Sequence, residues 1–113
     1  MNQVVLVGKI AEEINIIKRG EHEVATTRIC VKSDYKNAEG NYMYNYYPVI
    51  FWGPLKQFAL DYLKKNFIVS MRGHLHVFDF QNDDGERKSV LDVYGDNVSI
   101  IYSPRDTEQK EEE

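Results

Sequence analysis

Tyr46-Tyr47-Pro48-Val49-Ile50-Phe51-Trp52-Gly53 joins a strand-forming run to the only tryptophan of the chain. Side chains alternate between the faces of a strand, so Tyr46, Pro48, Ile50 and Trp52 share one side while Tyr47, Val49 and Phe51 share the other. Both sides are apolar or aromatic. One can fill a core, and the other must then meet a partner chain, a helix or the flat faces of bases.

Downstream, Gly53-Pro54 opens a helix, because proline suits the first helical position. Leu55, Phe58, Ala59, Tyr62 and Leu63 recur at helical spacing, with Lys56, Gln57, Asp61, Lys64 and Lys65 outside. Asn66 tolerates the left-handed conformation that stops the helix. A single amphipathic helix between strands suits the open end of a small barrel. Phe67 to Phe80 then reads as a long strand bending at Gly73. Phe67, Val69, Met71, Leu75 and Val77 form its apolar side, and Arg72, His74, His76, Phe78 and Phe80 form a cationic and aromatic side. Gln81 to Glu86 is a turn, Arg87 to Tyr94 the returning strand, Gly95-Asp96-Asn97 a corner, and Val98 to Tyr102 a last strand.

Upstream, Val4 to Ile10 is a dense aliphatic strand in which Gly8 marks a bend or a close backbone approach. Ile14 to Lys18 and Glu23 to Ser33 are strands joined by a turn at Arg19-Gly20-Glu21-His22. In the second, Arg28, Cys30 and Lys32 lie opposite Ala25, Thr27, Ile29 and Val31, as in a half-buried antiparallel strand. Asp34 to Asn45 reads as a hairpin loop or projecting arm. It carries Tyr35, Tyr42 and Tyr44, which either pack back on the sheet or stack on a ligand.

At 113 residues the chain is one domain by length, with a core that needs no metal or disulfide. Cys30 is the only cysteine, which excludes an internal disulfide and a cysteine-based zinc site and fits a reducing cytoplasm. No apolar run is long enough for a transmembrane helix, and the start has no signal-peptide character. The net charge is −4, of which residues 104–113 carry −3, so a basic face on residues 1–103 is compatible with the composition. His74 and His76 have the spacing of two metal ligands but no third declares itself, and no phosphate loop or nucleophile motif is present. Neither an enzyme nor a cofactor is expected.

The remaining signal is the aromatic and basic surface. Five strands around one helix, with long β-hairpins, point to an all-β Greek-key barrel of the oligonucleotide-binding (OB) type, in which bases stack on aromatics along a basic groove. A core role for Trp52 and Phe78 is the alternative at this stage. From Asn2 to Tyr102 the chain resembles bacterial and phage single-stranded DNA-binding proteins. The likeness rests on Asn2-Gln3-Val4-Val5-Leu6-Val7-Gly8-Lys9-Ile10, Phe51-Trp52-Gly53, Tyr62-Leu63-Lys64-Lys65, Arg72-Gly73-His74-Leu75 and Asp96-Asn97-Val98, in order and at the right spacing.

This resemblance implies a five-stranded OB-fold barrel that assembles as a homotetramer, from dimers joined through their N-terminal strands. It puts the family's stacking positions on Tyr35, Tyr46, Phe80 and Trp52, beside Phe78. Pro48, Pro54, Phe78 and Asp79 stand where the family usually has basic residues. Backbone contacts then fall to Arg28, Lys32, Lys36, Lys65, Arg72, His76 and Lys88. A dimeric OB-fold adaptor of a primosome or recombination complex, binding mainly protein, is the competing reading.

Residues 1–103 are expected to form the DNA-binding domain and residues 104–113 a short disordered acidic tail. The tail has no aromatic or aliphatic side chain to fill a partner's pocket, so no tight tail-mediated protein partner is expected. Its exposed charges act only within about 8 Å at physiological salt. Deleting residues 104–113 should therefore leave the oligomer intact and change DNA affinity little, as read by sedimentation and oligonucleotide titration. Loss of assembly, or of a tightly bound partner enzyme, would count against this.

Overall fold

The computed structural model describes residues 1–104. Its elements are β1 (Val4–Ile10), β2 (Asn15–Arg19), β3 (His22–Lys36), β4 (Tyr42–Phe51), α1 (Pro54–Tyr62), β5 (Ile68–Gln81) and β6 (Arg87–Tyr102). The strands form one sheet in the order β1-β5-β6-β4-β3-β2, and pairing of β1 with β3 closes five of them into a barrel. β2 lies outside this ring and, among the described residues, pairs as a strand only with β3. All pairings are antiparallel except β4 with β6. This is the five-stranded OB-fold ring, with its helix between the third and fourth barrel strands.

Closure brings backbones close together. A methyl group on Gly8 would strike the backbone carbonyl of Cys30, and one on Gly73 would strike that of Tyr94. The first contact is the barrel seam, where Lys9 and Ile10 oppose Cys30 and Ile29. Gly8 is thus a close approach, as its place in an aliphatic run suggests. Gly73 opposes Gly95 while Arg72 opposes Asn97, so Asp96 is the extra residue of a bulge. Bulges bend a strand and increase its twist. The expected corner at Gly95-Asp96-Asn97 is therefore a kink within one continuous strand, β6.

The barrel is filled by Ile10, Ala25, Ile29, Val49, Phe51, Val69, Met71 and Val98, with Ala59 and Leu63 from the helix region. Proline stands in the first turn of α1 as expected. Tyr62, placed by spacing on the apolar stripe, is instead largely exposed and packs its ring on Phe58. The helix ends one residue before Leu63, whose N–H still donates to the Ala59 carbonyl. Asn66 takes the left-handed conformation with φ 77°. Its N–H donates to the Ile10 carbonyl while the Ile10 N–H donates to Phe67, which ties the chain after the helix to the end of β1.

Three further expectations change. Of the two readings of Asp34 to Asn45, the projecting arm holds and the loop does not, since β3 runs to Lys36 and β4 begins at Tyr42. The turn between them is short because the Asn37 side chain accepts hydrogen bonds from the N–H groups of Glu39 and Asn41. Asn82 does the same for Asp84 and Glu86 at the β5–β6 turn. Second, Leu75 and Val77 do not continue the core side of Val69 and Met71. Past the bulge the β5–β6 hairpin leaves the barrel, and both are exposed. Third, Ile50 is buried although its strand neighbours on that face are exposed, because Thr26 and Tyr94 flank it on either side. The acidic tail beyond residue 104 lies outside the described residues.

The seam predicts a measurable consequence. Gly8→Ala should destabilise the fold by about 1–3 kcal/mol, the usual cost of forcing extra volume into a packed site. Urea unfolding checks this, and an unchanged midpoint would show that β1 can move away from Cys30 without penalty.

Candidate nucleic-acid interface

Directly opposed residues on neighbouring strands share a face, so the sheet register maps the outer surface. Lys9, Cys30 and Tyr46 form one row across β1, β3 and β4, with Lys32 opposite Tyr44 and Arg28 opposite Pro48 beside it. Ile50, Tyr94 and His74 form another across β4, β6 and β5. Along the hairpin follow Asp92 with His76, Val90 with Phe78, and Lys88 with Phe80. One continuous outward face therefore carries most of the residues singled out by sequence.

At one end, β3 and β4 project as an arm. The Lys32 and Lys36 ammonium groups stand 4.1 and 5.3 Å from the centre of the Tyr42 ring, and the Arg28 guanidinium lies 5.1 Å from that of Tyr46. Such cation–ring contacts hold long side chains in place over flat surfaces. Tyr35 is 80% exposed and Tyr44 is also open, so the arm tyrosines do not pack back on the sheet. A groove of about 670 Å³ runs below, lined by Val7, Lys9, Cys30, Lys32, Tyr44 and Tyr46 among others.

At the other end, Trp52 is 52% exposed, which removes the reading of it as core. Its ring centre lies 6.5 Å from that of Tyr94. Tyr94 in turn lies 4.8 Å from His76 and 5.7 Å from His74. Phe78 and Phe80 stack at 5.9 Å with planes 22° apart, and Arg19 covers the Phe78 ring at 5.8 Å. Phe78 is half-buried and Phe80 open.

The β2–β3 turn is held against the hairpin by Arg19, which donates to both oxygens of the buried Asp92 carboxylate at 2.9 and 3.2 Å. This hydrogen bonding raises the Arg19 guanidinium further above its already high ordinary value. Burial, and secondarily Asp92, pushes the Tyr94 phenol up. The neighbouring Cys30 side chain raises that of Tyr46, with Arg28 acting in the opposite sense. Both phenols thus stay protonated at neutral pH and present uncharged rings.

The remaining candidates are more scattered. Lys88 opposes Phe80 and pairs with Glu86 at 3.5 Å. Arg28 is shared with Glu12 at 3.3 Å, and His74 meets Asp96 at 2.9 Å. Arg72 is exposed opposite Val5 and Asn97, and Lys65 lies in the turn after α1, both outside these aromatic clusters. Tyr94, Arg19 and Lys9 carry no site signal in the sequence, whereas Tyr44 is one of the three arm tyrosines it offers for stacking. A tyrosine two residues from an aspartate in an aliphatic strand carries no local signal, because its neighbours Trp52 and His76 lie far away along the chain.

Comparison with known proteins agrees with the fold. Among solved structures, a single-stranded DNA-binding protein from Plasmodium falciparum in complex with single-stranded DNA superposes with a TM-score of 0.69 at 18% identity, over 90% of this chain and 96% of that one. A single-stranded DNA-binding protein of Clostridium acetobutylicum is 27% identical over 94% of this chain and 98% of its own length. One from Streptococcus mutans is 25% identical over 91% of this chain and 63% of its own length. The model of the single-strand binding protein family matches residues 1–101, and the chain belongs to that family.

Proposed function

We propose that this protein binds single-stranded DNA with little sequence preference and without catalysis, covering and protecting it during replication, recombination or repair. The observation that carries this reading is the single outward face on which the Tyr46, Trp52 and Phe78–Phe80 rings alternate with cationic side chains. Every base has a flat face, so stacking on such rings tolerates any sequence. Tyr35, Tyr46, Trp52, Phe78 and Phe80 supply the stacking positions. Arg28, Lys32, Lys36, Lys65, Arg72, His76 and Lys88 supply contacts to phosphates, and residues 1–103 act as the DNA-binding domain. The adaptor reading is not favoured, because relatives along the whole chain bear the name of single-stranded DNA-binding proteins.

The chain works as a homotetramer in this reading, assembled through β1. Only Lys9 and Ile10 of β1 oppose β3, so the edge of Val4 to Val7 that faces away from β5 is open among the described residues. Val5 and Val7 are exposed beside it. An open edge with apolar flanks is a template for a second strand. We place the protein in the cytoplasm. Among the described residues, no helix is long and apolar enough to cross a membrane.

Titration of Trp52 fluorescence with poly-dT should show binding that weakens as salt rises, with a slope of about −0.7 per phosphate contacted in a plot of log affinity against log salt. Salt-insensitive binding, or equal affinity for duplex, would overturn the proposal. In the same assay, Phe80→Ala and Tyr46→Ala should each weaken binding by about 1–3 kcal/mol and leave the melting temperature nearly unchanged, since both rings are exposed. A sharp drop in melting temperature with unaltered affinity would return that ring to a structural role.

A further inference from the structure

We propose that Tyr94, with His76, forms a further base-stacking position that bridges Trp52 and the Phe78–Phe80 pair. This rests on the reading of the protein as a single-stranded DNA-binding protein. On β5, Phe80 near the hairpin tip lies six positions beyond His74, which opposes Tyr94. At about 3.3 Å per residue this is a span of roughly 20 Å. Trp52 lies at the barrel end of that span, and a strand of DNA running from Trp52 to Phe80 must cross it.

The crossing is paved by rings. Tyr94 lies 6.5 Å from Trp52 and 4.8 Å from His76, distances at which aromatic groups form a joined surface. His76 is open to solvent, while Tyr94 and His74 are half-buried. The close approach of the Tyr94 carbonyl to Gly73 fixes its backbone, and its ring is held between Trp52, His74 and His76. The groups facing the position are His74, which is engaged with Asp96, and Asp92, which is neutralised by Arg19. The Asp92 carboxylate is therefore compensated by the Arg19 guanidinium, which lowers the local penalty for an approaching phosphate. The raised Tyr94 phenol adds no negative charge at neutral pH.

Two measurements test the proposal on the full chain. The first is photocrosslinking of the unaltered protein to oligo-dT carrying 5-iodouracil, followed by peptide mapping. Adducts at Tyr94 or His76 are expected, besides those at Tyr46 or Phe80. Adducts at Tyr46 or Phe80 alone would overturn the bridge while leaving the DNA-binding reading in place, and no binding at all would overturn both. The second is anisotropy of labelled oligo-dT with Tyr94→Val and Tyr94→Phe. Valine, a good strand former, should weaken binding about tenfold, while phenylalanine keeps the ring and should bind nearly as the parent does. Equal affinity of Tyr94→Val and the parent would overturn the proposal. If the valine variant fails to fold, the crosslink on the unaltered protein decides.

Discussion

Two backbone contacts set the geometry on which the rest depends, Gly8 against the carbonyl of Cys30 and Gly73 against that of Tyr94. The first closes the barrel, and the second tightens β5 against β6 where the hairpin begins to leave it. Any side chain at either place would push the strands apart. Closure at Gly8 brings Lys9 beside Cys30 and Tyr46 and seals Ile10 and Ile29 inside. Contact at Gly73 sets Tyr94 among Trp52, His74 and His76. One pair of constraints thus makes both the core and the outer face.

The same closure explains why a strand can be apolar on both sides. On β4, Val49 and Phe51 point into a sealed interior, while Tyr46 and Trp52 point out from a curved wall. A flat sheet would have to cover that second face. In a barrel whose neighbouring hairpins project beyond it, the outward rings instead line a path between the β3–β4 arm and the β5–β6 hairpin. Arg19 and Asp92 hold the β2–β3 turn against one side of this path. Removing either partner would leave the other charge poorly compensated, so the pair acts to keep the turn in position as much as to stabilise it.

Much of this was legible in the chain because it is local. Strand alternation, proline at the helix start and glycine at the points of close approach are each set within a few residues, whereas the helix ends at Tyr62 and Asn66 takes its left-handed conformation in the turn that follows. That Asp34 to Asn45 forms an arm rather than a loop also has a local reason, since Asn37 and Gly40 build a turn compact enough to let strand pairing run to Lys36 and Tyr42. What the sequence does not carry is the bulge. The extra residue Asp96 bends the sheet where simple alternation would run on, so Leu75 and Val77 emerge from the core side into solvent. Tyr94 and Arg19 escaped notice because their partners are long-range. The salt bridge of Arg19 spans 73 positions of sequence.

The distribution of charge shows how an acidic chain can hold a polyanion. Several of the cations on the outer face already have acidic partners, with Arg19 on Asp92, Arg28 on Glu12 and Lys88 on Glu86. The exposed pairs of Arg28 and Lys88 contribute little to stability, and all three pairs dilute the field that a phosphate would feel. Lys32 and Lys36 lie over the Tyr42 ring instead. Net attraction to the backbone is therefore modest and concentrated on the arm, while rings extend from the arm to the hairpin tip. With about 1–3 kcal/mol available from each stacked base, a few such platforms outweigh a thin set of phosphate contacts. In the proposed reading, affinity on this surface is governed first by how many bases lie flat on it, and charge serves mainly to bring the strand into register with the rings.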